Sequence, residues 1–312
     1  MKVIPLLAIP SPRDLVQFHQ AIEKVTDIDK LWIKYCPSPI TYPTIRKEFL
    51  SNKSNQKYTH LIICPDDLVI DRQKLQYLID DYQNLLSKEE QDTTIISGFC
   101  NVDDSDHSHE ANICMEYVTP RRQGRRYNWV KMTSIDAIKG QIERARLDKS
   151  GLEDRMQAGQ ETITHEDDIN PNEFNKQFLL NVKFAGFGMI MIPRAILKNT
   201  VDMRNDAVGY PVKKEQGCCE DVMLCHQCLE KGYKIYVDVR AQFQHLKLND
   251  RDTRRLLMAN EAQKLTPYIK YEHYSNNKKT VSKEVEIKDP ELDLHATTTT
   301  KPEHYTYGSS LH

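Results

Sequence analysis

Val3 to Ile9 is a short apolar run, and beyond it Leu15, Phe18, Ile22 and Val25 recur at the spacing of one helix face. Ser11, Pro12 and Asp14 stand between them in the order of an N-cap, a first-turn proline and a first-turn acid. The pattern predicts a strand, a tight turn and a helix. The same alternation continues down the first hundred residues. Leu31 to Cys36 predicts a second strand and Tyr42 to Leu50 a second helix; Leu61 to Cys64 predicts a third strand, which runs straight into Pro65, Asp66 and Asp67. A longer helix is expected from Asp71, with Leu75, Leu78, Ile79, Tyr82, Leu85 and Leu86 on one stripe, and Thr94 to Ser97 reads as a fourth strand. Strands alternating with helices at these intervals predict an α/β fold with a mostly parallel central sheet flanked by helices on both faces.

The second half is less regular. Ile113 to Val118 and Tyr127 to Met132 predict two strands around a basic turn that carries Arg121, Arg122, Arg125 and Arg126. Residues 139–172 hold few apolar anchors and read as a partly helical surface excursion. Phe184 to Ile192 is an apolar run containing Gly186 and Gly188. Glu220 to Lys231 predicts a helix stopped by Gly232, and Ile235, Val237 and Val239 alternate as a strand leading to His245 and Lys247. From Asn276 onward the chain is rich in Asn, Lys, Thr and Glu, so 276–312 is expected to be a disordered tail.

The 312 residues can form one large α/β unit, read here as a first half to about residue 100 and a second half, 101–270, of the same domain. No apolar run approaches the length of a membrane span. Pro10-Ser11-Pro12-Arg13 interrupts the N-terminal apolar stretch, against a secretory leader. The eight cysteines are scattered as reduced core thiols usually are, which points to a cytoplasmic protein. A net charge of −2 offers no general field for nucleic acid, so any anionic ligand must be held by local groups.

Those local groups are few. Asp66 and Asp67 follow a buried strand, at the sheet edge where open α/β folds bind ligands, and paired carboxylates suit Mg²⁺ or Mn²⁺. Helix capping is the plain alternative. Glu220 and Asp221 open a helix whose dipole favours their ionised form, as a general base requires; here too a simple cap would explain them. His245 can ligate a metal, and Lys247 can meet a phosphate. The arginines of the basic turn read as a solvated surface. Cys218, Cys219, Cys225 and Cys228 lack the paired spacing of a zinc site, and the loop with Asp103, Asp104, Asp106, His107 and His109 has no spacing that fixes a geometry.

Taken in order, LLAIPSPRDL, HLIICPDDLVI, FAGFGMIMIPRAIL, CCEDVMLCHQCLEKGYKIYVDV and QHLK, between residues 5 and 247, resemble the GT-A glycosyltransferases, particularly the broad family 2 type. Two departures stand out. Pro65 takes the place of the first acid of the family's Asp-x-Asp, and Tyr35-Cys36-Pro37 replaces the acid that usually reads the base.

The resemblance implies a GT-A-like, Rossmann-type fold that transfers a sugar from a UDP- or GDP-linked donor to an acceptor hydroxyl, with inversion. It implies that Asp67 and His245 hold one Mn²⁺ or Mg²⁺, with Asp66 beside them, and that Asp221, or less directly Glu220, takes the acceptor's proton. Pro10, Ser11 and Arg13 would line the nucleotide together with Asp66 and Lys247. Gly186, Phe187 and Gly188 would let the main chain approach the sugar. The competing expectations are a nucleotidyltransferase, for which the basic Gly-rich loop after the first strand is missing, and a glycosyltransferase-like protein that binds without turnover.

Overall fold

The computed structural model describes residues 2–13, 15–36, 38–101, 110–115, 117–123, 126–130, 133–140, 143, 176, 178–200, 220–246, 266–275, 278–282 and 284–287 (for 38–39, 117–123 and 126–130, the main chain). The first half alternates as predicted: β1 (Pro5–Ser11), α1 (Val16–Ile22), β2 (Lys30–Lys34), α2 (Ser38–Ser51), β3 (His60–Ile63), β4 (Leu68–Val69), α3 (Arg72–Asn84), α4 (Lys88–Gln91) and β5 (Thr94–Cys100). Short strands follow, β6 (Glu110–Ala111), β7 (Ile113–Cys114), β8 (Tyr117–Gln123), β9 (Arg126–Val130), β10 (Thr133–Ser134), β11 (Leu179–Asn181) and β12 (Phe184–Ala185). Then come β13 (Ile190–Pro193), α5 (Arg194–Asn199), α6 (Glu220–Glu230), β14 (Lys234–His245), β15 (Tyr268–Ser275), β16 (Lys278–Val281) and β17 (Val285–Glu286).

The main sheet runs β11-β14-β5-β13-β3-β1-β2-β15-β16, with β17 also on β15 and β4 on the end of β14. β1 is parallel to β2 and β3, and β14 is parallel to β5. β13 lies antiparallel between β3 and β5, so those five strands all run one way and their carboxyl ends share one edge.

The strands are buried on both faces, and alternate residues feed opposite cores. Leu6, Ala8, Leu31, Ile33, Leu61 and Ile63 join Phe49, Ile196 and Leu224 on one face. Leu7, Ile9, Trp32, Ile62 and Cys64 join Phe18, Ile22, Leu75 and Tyr82 on the other. The six described cysteines are buried thiols without a disulfide, and among the described residues no helix is long and apolar enough to cross a membrane.

Three expectations change. Ser11 does not cap α1: it is the last, fully buried residue of β1, and the helix starts at Val16 after an extended Leu15 whose side chain makes no cap. Asp71, by contrast, caps α3, accepting from the amides of Gln73 and Lys74 at 2.9 and 3.3 Å. The expected tail is also part structure. Residues 278–281 and 285–286 are exposed strands held on β15 by main-chain pairing, which composition does not reveal because it needs no apolar side chains. The basic turn is a hairpin in which Arg121, Arg122 and Arg126 are strand residues. Arg125, the loop from Asp103 to His109, Cys218, Cys219, Lys247 and most of 139–172 lie outside the described residues.

Candidate functional site

At the shared edge, the chain leaving β1 meets the chain leaving β3. The Asp66 amide donates to the Pro10 carbonyl at 3.1 Å, which seats the Asp66-Asp67 turn beside Arg13. Asp66 is fully buried. Its Oδ2 accepts the Arg13 main-chain N–H at 2.8 Å, and its Oδ1 accepts Nε at 2.8 Å and pairs with Nη2 at 2.7 Å. Arg13 Nη1 donates to Asp67 Oδ2 at 2.6 Å. From the end of β14, His245 Nε2 lies 3.2 Å from that same oxygen. One guanidinium and one imidazole thus converge on a carboxylate pair.

Burial works against every charge here, and the partners decide each outcome. Burial holds Asp66 above the ordinary carboxylate range in spite of Arg13. It would raise Asp67 too, but the His245 hydrogen bond and the Arg13 charge outweigh it and Asp67 is lowered. Burial would lower Arg13, yet the two carboxylates raise it. The hydrogen bond to Asp67 raises His245 against its own burial. His245 Nδ1 is buried without a full hydrogen bond, the Asn101 main chain supplying only a weaker favourable contact.

Asp221 and Glu220 form the first turn of α6. Glu220 is buried, and the Val222 amide donates to Asp221 Oδ1 at 2.8 Å. Burial pushes Asp221 up to about 6, with the Glu220 charge adding to it, while the amides of Val222, Phe187 and Asp221 itself pull the other way. Desolvation outweighs these amides in setting the direction, and a group near 6 still stays ionised at neutral pH, as its place at the helix terminus predicts. Tyr42 of α2, which no pattern in the sequence singles out, lies within reach of the charges of both α6 and the Asp67 cluster. Its ring packs on Phe187 with centroids 4.9 Å apart. Burial raises its hydroxyl well above the usual range, and the charges that it senses belong to Asp221, Glu220, Asp67 and Arg13.

The glycine segment also has a packing task. A Cβ on Gly188 would stand 2.6 Å from the Asn112 amide nitrogen, and one on Gly186 would stand 3.1 Å from it. Asn112 in turn accepts the Cys100 amide at 2.8 Å. The glycines therefore make room for an asparagine that ties β5 to this segment, and the next residue, Met189, is fully buried at φ 70°. Beside His245 a cleft of about 310 Å³ is lined by Lys74, Asn101, Gln242, Phe243 and Gln244.

A divalent cation needs several oxygen, nitrogen or sulfur ligands converging on one point. Among the described residues no three His, Cys, Asp or Glu side chains form a cage. Asp67 and His245 do converge, but Nε2 faces Oδ2 as a hydrogen-bond donor and Arg13 already holds that oxygen. A divalent ion at about 4 Å from a guanidinium would be repelled by on the order of 8 kcal/mol at an effective dielectric of about 20. With Arg13 in this position, the residues present do not fit the ion. Cys225 donates to the Ala185 carbonyl at 3.5 Å and Cys228 is core, so neither is a ligand.

No family profile matches the chain, and no curated protein matches it significantly. Among solved structures, the crystal structure of A197 from STIV aligns over 91% of this chain and 94% of that one, at 14% identity and a TM-score of 0.37. At that level neither fold nor chemistry transfers.

Proposed function

We propose that the chain transfers a sugar from a UDP- or GDP-linked donor to an acceptor hydroxyl, inverting the anomeric carbon. The supporting observation is the gathering of Arg13, Asp67 and His245 at one sheet edge with Asp221 and Glu220 at the head of α6, all but His245 within the electrostatic reach of Tyr42. In this reading Asp221 accepts the proton of the acceptor hydroxyl as its oxygen bonds to the anomeric carbon, and the bond to the diphosphate oxygen breaks. A carboxylate near 6 is ionised at neutral pH yet basic enough for that task. Glu220, buried beside it, shapes the pocket and raises its basicity.

A thermal-shift panel of UDP-, GDP- and CMP-sugars, followed by product analysis with simple sugar acceptors, tests the reading. A stabilising nucleotide-sugar that is also turned over is expected. Stabilisation without turnover would make this a binding protein, and absence of both would reject the assignment.

A further inference from the structure

We propose that Arg13 is the resident cation of this site, standing where a divalent metal would be expected, and that its uncommitted N–H groups take phosphate oxygens of a nucleoside diphosphate. The proposal deepens the nucleotide-sugar reading and rests on it for the identity of the anion. A guanidinium has five N–H donors. Nε spends one on Asp66 and Nη1 spends one on Asp67, and with Nη2 ion-paired to Asp66 at 2.7 Å at least two N–H groups stay uncommitted. The main-chain amide of Arg13 is also fixed by Asp66, so the side chain is held at both ends. Asp66 is fully buried, whereas the side chains of Asp67 and Arg13 keep 16% and 19% exposure, so solvent reaches the pair at Asp67 and Arg13. Lys74, which lines the cleft beside His245, donates to the Gln242 carbonyl at 2.6 Å and has further N–H donors on its ammonium.

The composition of the turn fits this arrangement. Pro65 removes the first acid that a metal-holding turn of this kind would carry, and both remaining acids point to Arg13. An arginine fork matches phosphate oxygens in geometry as well as charge, and it stays charged at any working pH.

Two measurements test the claim, and they fail separately. The first is Mn²⁺ binding alone, by titration calorimetry. The native protein should bind Mn²⁺ at least tenfold more weakly than an Arg13→Ala variant, in which Asp67 and His245 are released. Because Arg13→Ala leaves Asp66 buried without its cation, the Arg13→Ala/Asp66→Asn double variant is measured beside it as the version expected to fold. Equal Mn²⁺ affinity in the native and double-variant proteins would overturn the proposal. The second is the affinity for UDP and GDP in EDTA and in Mn²⁺. The native protein should show the same affinity in both within about twofold, whereas the double variant should lose at least tenfold in EDTA and recover part of it with Mn²⁺. A tenfold loss by the native protein in EDTA also overturns it. If neither nucleotide binds the native protein under any condition, the nucleotide-sugar reading fails, and the Mn²⁺ comparison still decides the role of Arg13.

Discussion

At the scale of single residues, Asp221 carries the sharpest expectation. Its folded-state value of about 6 lies above the ordinary 3.8, so the folded chain holds this proton more tightly than the unfolded one. Its contribution to stability is full below about pH 4 and is lost as pH rises towards 6. Asp221→Asn, which removes the ionisation and keeps the shape, should therefore melt no lower than the native protein at pH 7. Transfer by this variant should fall about a hundredfold or more while nucleotide-sugar binding holds. In the native protein kcat/KM for the proposed transfer should drop as pH falls through 6, the direction expected for a base that must be ionised. Glu220→Gln should have the smaller effect on turnover. A dead Glu220→Gln beside an active Asp221→Asn would exchange the two roles, and a flat result for both would leave only a helix terminus.

At the scale of elements, what could be read in advance depended on where the partners of each residue lay. The strands β1, β2 and β3 and the helix α3 announce themselves, because their apolar periods and the Asp71 cap are written locally. The candidate acids and His245 are legible for the same reason: each stands at or just beyond one end of a clear element. Arg13 as the partner of Asp66 and Asp67 was not, since that contact spans some fifty residues. Nor was Asn112, whose fit against Gly186 and Gly188 is a matter of shape between distant segments. Gly98 of β5 belongs to this second kind. A Cβ there would lie 2.4 Å from the Phe243 ring and 2.7 Å from the Ala241 carbonyl, opposite the irregularity in β14 between Val237 and Gln242. One of those neighbours is main chain and cannot step aside. Gly98→Ala should therefore lower stability by roughly 1–3 kcal/mol, read as a reduced denaturant midpoint at unchanged slope.

At the scale of the whole molecule, the sheet is closed at one side by chain that composition marks as tail. β15 lies antiparallel on β2, and β16 and β17 cover its outer edge. Ending the chain at Ser275 would strip that edge and leave unpaired main-chain groups, the usual template for pairing between molecules. Such a truncation should lower the melting temperature by a few degrees and give concentration-dependent association in light scattering; a monomer of native stability would show the two strands to be ornamental. The sheet's centre has a consequence of another kind. β3 and β5 do not touch across a ladder until β13 lies between them, and β13 is supplied by residues 190–193. A ribosome that has released the first hundred residues has thus delivered β2, β1 and β3 as one fragment and β5 as another, with the gap between them unfilled. About ninety more residues must emerge before the sheet can join. Pairings at such separation are slow to form. In the interval the facing edges of β3 and β5 are open, so the nascent chain is most exposed to chaperones, and to misassembly, while its second half is still being made.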